Sequence, residues 1–152
     1  MKTIILSVIA FVIFVGCSKE SERIKLDAVF FELNSECFST LKLQRAEIVI
    51  TSAADYQTFQ DTIKRYFFPY CDTTNLPAID FEQDFFAGKF TQTSGCSATF
   101  NRGVFFQPDN ASYEYAIEMT GEGTCEMLLG SFNCAIIPRQ SDKEIVLRFN
   151  VK

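Results

Sequence analysis

The pattern of apolar and polar positions divides the chain into one long apolar run and a series of short alternating ones. Residues 4–15 are apolar almost without a break, and the chain turns polar at Ser18, Lys19, Glu20, Ser21 and Glu22. From Ile24 onward apolar and polar residues alternate through Leu33, which predicts one strand. Asn34, Ser35 and Glu36 have turn chemistry, and residues 41–51 predict a second strand ending in Ile48, Val49 and Ile50. The period then lengthens. Tyr56, Phe59, Ile63 and Phe67 recur at helical spacing and share one face, while Asp61, Lys64 and Arg65 fall largely elsewhere. Ser52 caps this helix, with Asp55 at the capping-box position where Glu is usual. The helix ends before Pro69, and residues 69–77 form a loop that contains Cys71.

The second half predicts strands in close succession. One lies near residues 85–93, after Ile79, Asp80 and Phe81, and Ser94, Gly95 and Cys96 turn the chain. Residues 97–106 and 112–120 predict a hairpin through Gln107, Pro108, Asp109 and Asn110. Tyr113, Tyr115, Ile117 and Met119 mark one face of its second strand. After Gly121, Glu122 and Gly123, short strands follow at residues 125–129 and 133–137. Ile145, Leu147, Phe149 and Val151 mark a final strand. One helix among many short strands predicts a mainly β, α+β fold. The expectation is an antiparallel sandwich or partly open barrel, with a helix near residues 53–67 covering one end.

The apolar run is too short to span a bilayer, which takes about 20 apolar residues. Lys2 before it and Gly16 after it describe an export signal. Phe14, Val15, Gly16 and Cys17 resemble the bacterial lipobox, with Phe where Leu is commoner. The resemblance implies that residues 1–16 are a signal peptide, that Cys17 carries a diacylglyceryl thioether, and that the new N-terminus is acylated. A lipid-anchored tether of residues 17–23 and a single β-rich domain of residues 24–152 remain. A plain secretory signal and an uncleaved anchor are the alternatives. Ser18 is not the aspartate that retains lipoproteins in the inner membrane, which implies delivery to the outer membrane. The acidic segment after Cys17 also resembles surface-export signals; a spacer without any code is the alternative.

Charge and composition narrow the chemistry. The formal net charge is −5, and removing Lys2 with the signal makes it −6, so nucleic acid is not an expected partner. The chain has no histidine. Ser-His-Asp and Cys-His catalysis and His-containing zinc sites are therefore excluded. Besides Cys17 there are Cys37, Cys71, Cys96, Cys125 and Cys134, none at zinc-ribbon spacing, in a chain bound for an oxidising compartment. Adjacent strands would bring Cys96 and Cys125 together, which favours that bridge over its rival, Cys125–Cys134. Cys37 and Cys71 would then staple the N-terminal strands to the loop after the helix. Cys134 is left as the free thiol: a reactive or partner-linking group, or a small buried hydrophobe between Phe132 and Ile136.

Leu76 to Phe81, the strand after it, Ser94-Gly95-Cys96, and Ile136-Ile137-Pro138-Arg139 resemble the PrcB C-terminal-type domain, named for a lipoprotein subunit of a bacterial surface protease complex. The resemblance spans roughly residues 48–152, with Ile79, Asp80, Phe81 and Gly95 as its motif positions. Gly95 and Cys96 stand where many relatives have paired glycines and an aromatic residue. The resemblance implies an exported β-rich domain with an accessory or binding role and no catalysis.

Two further sets of residues invite a chemical reading. Asp80, Glu82 and Asp84 would share one face of a regular strand and could hold calcium or act as paired carboxylates. Against that, Asp80 would order its loop through backbone amides while the other two are solvated. Tyr113, Tyr115, Phe105 and Phe106 could stack on a sugar or peptide, or simply fill the core. The expectation is thus a non-enzymatic lipoprotein without cofactor. It meets the lipid bilayer through acylated Cys17 and binds an envelope protein. The alternative is a cell-surface module for a glycan, a peptide or calcium.

Overall fold

A computed structural model describes residues 22–34, 47–67 and 76–152. The chain runs β1 (Ile24–Leu26), β2 (Val29–Asn34), β3 (Glu47–Ile50), α1 (Ala53–Phe67), β4 (Asp84–Ser94), β5 (Ser97–Gln107), β6 (Ser112–Glu122), β7 (Leu128–Pro138) and β8 (Val146–Val151). One sheet has the order β1-β5-β6-β8, the other β2-β7-β4-β3. All neighbours are antiparallel except β6 and β8. Among the described residues the fold is a mainly β sandwich with one helix, not closed into a barrel.

The centre of the sandwich is one bent ribbon. β5 and β6 pair along their whole lengths from the hairpin tip at residues 108–111. At residues 95–96 and 123–127 both chains turn a corner, and β4 and β7 continue the pairing in the second sheet. The backbones press together at this corner. The Gly95 amide donates to the Met127 carbonyl at 3.0 Å and the Cys96 amide to the Glu122 carbonyl at 2.6 Å. A Cβ on Gly121 would lie 2.0 Å from the Ser94 carbonyl oxygen. Gly123 has φ +82°, and a Cβ there would meet the Cys96 sulfur at 2.6 Å. The structure joins Cys96 to Cys125 across the same corner, with Cα atoms 4.8 Å apart. Closing a loop of about 30 residues contributes roughly 3–4 kcal/mol on the chain-entropy model.

Strand alternation sends residues of the second sheet to two different cores. Phe85, Ala87, Ala135 and Ile137 face the first sheet and pack with Leu26, Val104, Phe106, Tyr113, Tyr115 and Ile117. Phe86, Phe90, Phe132 and Cys134 face the other way, under α1, and pack with Tyr56, Phe59 and Ile63. The helix thus covers a sheet face rather than an end of the sandwich. Burial of each large side chain is worth about 1.5–3 kcal/mol, so this face holds the helix in place. Ser52 starts it: its Oγ accepts the Asp55 amide at 3.2 Å. Asp55 is a methylene shorter than Glu, and its carboxylate takes the Ser52 hydroxyl at 2.7 Å. At the hairpin tip Ala111 has φ +52°. That conformation costs roughly 1–2 kcal/mol for an L-residue, and it is held where the buried methyl joins the inter-sheet core.

Two predicted boundaries differ. The strand expected over residues 24–33 is two strands in two sheets, with the crossing at Asp27 and Ala28. Leu26 and Phe30 nonetheless face the same inter-sheet core, so the alternation runs on unbroken across the switch. The two strands expected at residues 125–129 and 133–137 are one, β7. Gly130 and Ser131 do not break it because β4 pairs with it through that point.

Gly121→Ala is expected to lower stability by roughly 3 kcal/mol, since backbone must move to admit the methyl. A urea midpoint measured against the parent checks this; an unchanged midpoint contradicts the close approach.

Candidate functional site

The inner face of the second sheet changes character along its strands. Near the hairpin-tip end it is apolar. Toward the corner it turns polar, in one register row that runs Glu32, Asn133, Lys89, Glu47 across all four strands. Arg102 of β5 reaches into this row from the first sheet. Its Nε donates to Asn133 Oδ1 at 2.6 Å, and its terminal nitrogen pairs closely with Glu32. Ser131 Oγ donates to the second Glu32 oxygen at 3.0 Å. Asn133, fully buried, donates through Nδ2 to Thr91 Oγ1 at 2.6 Å. At the far end of the row Lys89 pairs with Glu47 at 3.0 Å. A guanidinium inside a sandwich is tolerated only where partners replace water, and these residues do so.

The Tyr115 hydroxyl is buried nearby, with no hydrogen-bond partner among the described residues. Burial pushes its pKa up, an effect that the Arg102 charge partly offsets.

The row sits beside an opening. β5 pairs with β6 from Ser97 to Gln107, but β1 covers its other edge only from Val104 to Phe106. Among the described residues nothing pairs with that edge from Ser97 to Gly103. Beneath it lies a cleft of about 460 Å3 between the sheets, lined by Glu32, Leu33, Ala98, Phe100, Leu129 and Ser131 among others. The Glu32 carboxylate, held by Arg102 and Ser131, stands at its wall. An unpaired strand edge above a cleft of mixed polar and apolar lining can accept an extended chain by backbone pairing, with alternate side chains entering the cleft.

A second polar region lies on the outer face of the first sheet. Arg23 pairs with Glu114 at 3.1 Å and stacks on the Phe105 ring at 4.5 Å. Asn150 donates to the same Glu114 at 2.9 Å. Gly103 and Ala116, opposite each other, floor a depression of about 350 Å3.

The residues singled out from the sequence are scattered. Cys17, Cys37 and Cys71 lie outside the described residues. Ile79 and Phe81 pack under α1, where the Phe81 ring meets Tyr56 at 5.6 Å. Gly95 is at the corner. Asp80, Glu82 and Asp84 do not share a strand face: residues 81–83 form a turn, and the strand begins at Asp84. Asp80 Oδ1 accepts the Glu82 amide at 3.0 Å, and its carbonyl accepts the amides of Gln83 and Asp84. No group of three or more Cys, Asp or Glu among the described residues is arranged to hold a metal ion. Of the aromatic set, Tyr113, Tyr115 and Phe106 fill the inter-sheet core, whereas Phe105 is on the outer face.

Cys134 is a free thiol, fully buried under α1. Burial drives its pKa up, against a smaller lowering by Arg102, so it stays a thiol rather than becoming a nucleophilic thiolate. Burial also pushes Tyr56 up to about 12 from 10. The sequence reading missed Arg102, Glu32, Asn133 and Thr91. Their one visible signal was polar side chains at inward positions of otherwise apolar strands.

Comparison with protein-family models, curated proteins and solved structures returned no match. No helix among the described residues is long and apolar enough to cross a membrane.

Two predictions follow from this geometry. Arg102→Ala should cost roughly 2–3 kcal/mol, because Asn133 is left buried without its partner; equilibrium denaturation measures it. Raising the pH should weaken the fold, because the unfolded chain ionises Cys134 and Tyr56 first and so binds fewer protons than the native state. The Tyr56 contribution is intact below about pH 10 and lost as pH rises toward about 12. Thermal midpoints recorded from neutral to alkaline pH test the sign, and a rising midpoint would contradict it.

Proposed function

We propose that this chain is a lipid-anchored accessory protein of the bacterial outer membrane that binds an envelope protein and does no catalysis. The observation that carries the binding half of this reading is the edge of β5 from Ser97 to Gly103 above the Glu32 cleft, unpaired among the described residues. Isolated proteins ordinarily cover or blunt such edges. The Arg102 network ties the two sheets together beside this edge through Asn133 and Glu32. An extended segment of a partner would pair with the β5 backbone and place alternate side chains against Phe100 and Leu129.

The anchoring half rests on the lipobox-like Phe14, Val15, Gly16 and Cys17, with Ser18 in place of a retaining aspartate. The resemblance to the PrcB C-terminal-type domain supports an accessory role of the same kind. A non-catalytic role agrees with the absence of histidine from the sequence and with a cysteine held as a buried thiol.

Affinity capture from detergent-solubilised envelope tests the reading. The full chain should retain a specific protein, and Ala98→Arg, which fills the cleft beneath the edge, should lose it without a shift in the unfolding midpoint. Repeated capture of nothing, or equal capture by the variant, would overturn edge binding.

A further inference from the structure

We infer that the half of the first sheet's outer face nearest the tether rests on the anionic headgroups of the membrane that holds Cys17. This inference depends on the lipid anchor proposed above. Extended chain spans at most about 3.6 Å per residue, so the stretch from Cys17 to Arg23 reaches roughly 20 Å. The domain therefore stays close to the bilayer, and some surface of it must face the headgroups.

The chain enters the fold at β1, where Ile24 pairs with Phe106 beside the hairpin tip. The end of the sandwich around that tip is a poor membrane surface. Asp80, Glu82, Asp109, Asp142 and Glu144 are all exposed or nearly so in its loops, and anionic headgroups repel them.

The adjoining outer face has the opposite character. One register row across the first sheet runs Lys25, Phe105, Glu114, Arg148. Arg23 joins it through Glu114 and the Phe105 ring. Three cations here oppose a single carboxylate, in a chain whose net charge is −5. Lys25 and Arg148 are exposed. Val146, in register with Ser112 at the same end, leaves 49% of its surface in water. Cations beside an exposed aliphatic residue suit the headgroup region. The patch fades away from the tether: Lys152 is offset by Glu118, and the corner carries Glu122. Charge thus selects the tether-proximal half and turns the disulfide corner away from the bilayer.

The test labels amines with a membrane-impermeant acylating reagent on the full acylated chain, reconstituted in vesicles of phosphatidylcholine with or without phosphatidylglycerol. Mass spectrometry reads Lys25 in the patch against Lys64 on α1. Phosphatidylglycerol should slow Lys25 labelling by roughly 25-fold, at about fivefold for each of the patch's two net positive charges, and leave Lys64 unchanged. High salt or Arg148→Glu should remove most of that protection. Equal labelling of Lys25 and Lys64 in anionic vesicles overturns the inference. So does protection that is the same without phosphatidylglycerol, which would reflect the tether alone. Protection of Lys25 in native envelope but not in anionic vesicles would assign the patch to a protein instead. An unmodified Cys17 in the N-terminal peptide of native protein removes the anchor itself, and is read separately from the labelling.

Discussion

The close passage of two backbones at one corner is the constraint on which this structure depends. β4 and β5 run on from each other, as do β7 and β6, so the sandwich is a single paired ribbon folded over. Folding it requires Gly121 to lie against the Ser94 carbonyl with no Cβ between them. It also requires the longer stretch at residues 123–127 to pass outside the shorter turn at residues 95–96. The Cys96–Cys125 bridge ties those two turns together. With the corner made, the two arms face each other in register, and the inter-sheet core follows from simple alternation along the strands.

The central strands of the second sheet, β4 and β7, are buried on both sides for most of their length, and the two faces differ in character. Under α1 the sheet is aromatic and aliphatic apart from the Cys134 thiol, with Phe86 at the centre of ring contacts to Tyr56, Phe59 and Phe31. Toward the first sheet it is apolar only for part of its length. The row from Glu32 to Glu47 interrupts it, and Arg102 bridges that interruption from the opposite sheet. A guanidinium and its partners fill the space with directional bonds rather than close-packed hydrocarbon. Among the described residues β1 pairs with β5 only from Val104 to Phe106, so polar interior, unpaired edge and cleft occur together at the same level. The proposed binding through that edge and the inferred membrane contact of the outer face would use different surfaces of the same sheet.

Much of the fold could be read from residue patterns, and the failures share a cause. Helix α1 was legible because Tyr56, Phe59 and Ile63 mark a stripe that only a helix aligns, with Ser52 at its start. The paired strands β5 and β6 were legible because turn residues separate two alternating runs. The switch at Asp27 and Ala28 was not, since Leu26 and Phe30 point into one core from two different sheets. Alternation reports which way a side chain points and says nothing about which strand its backbone pairs with. The carboxylates Asp80, Glu82 and Asp84 misled for a related reason: equal spacing implies a shared face only in a regular strand, and Asp80 itself folds the turn that breaks it.

Local chemistry therefore determined the elements, because each depends on neighbours along the chain, and a sequence without histidine left no histidine-based reaction open. The bridge between Cys96 and Cys125, the burial of Cys134 and the meeting of Arg102 with Glu32 and Asn133 were decided by tertiary structure. These residues are far apart in sequence, and only the fold of the ribbon at its corner sets the distances between them. The same holds for the patch formed by Arg23, Lys25 and Arg148: its cations come from opposite ends of the chain and acquire a common field only when β1 and β8 take their places in one sheet.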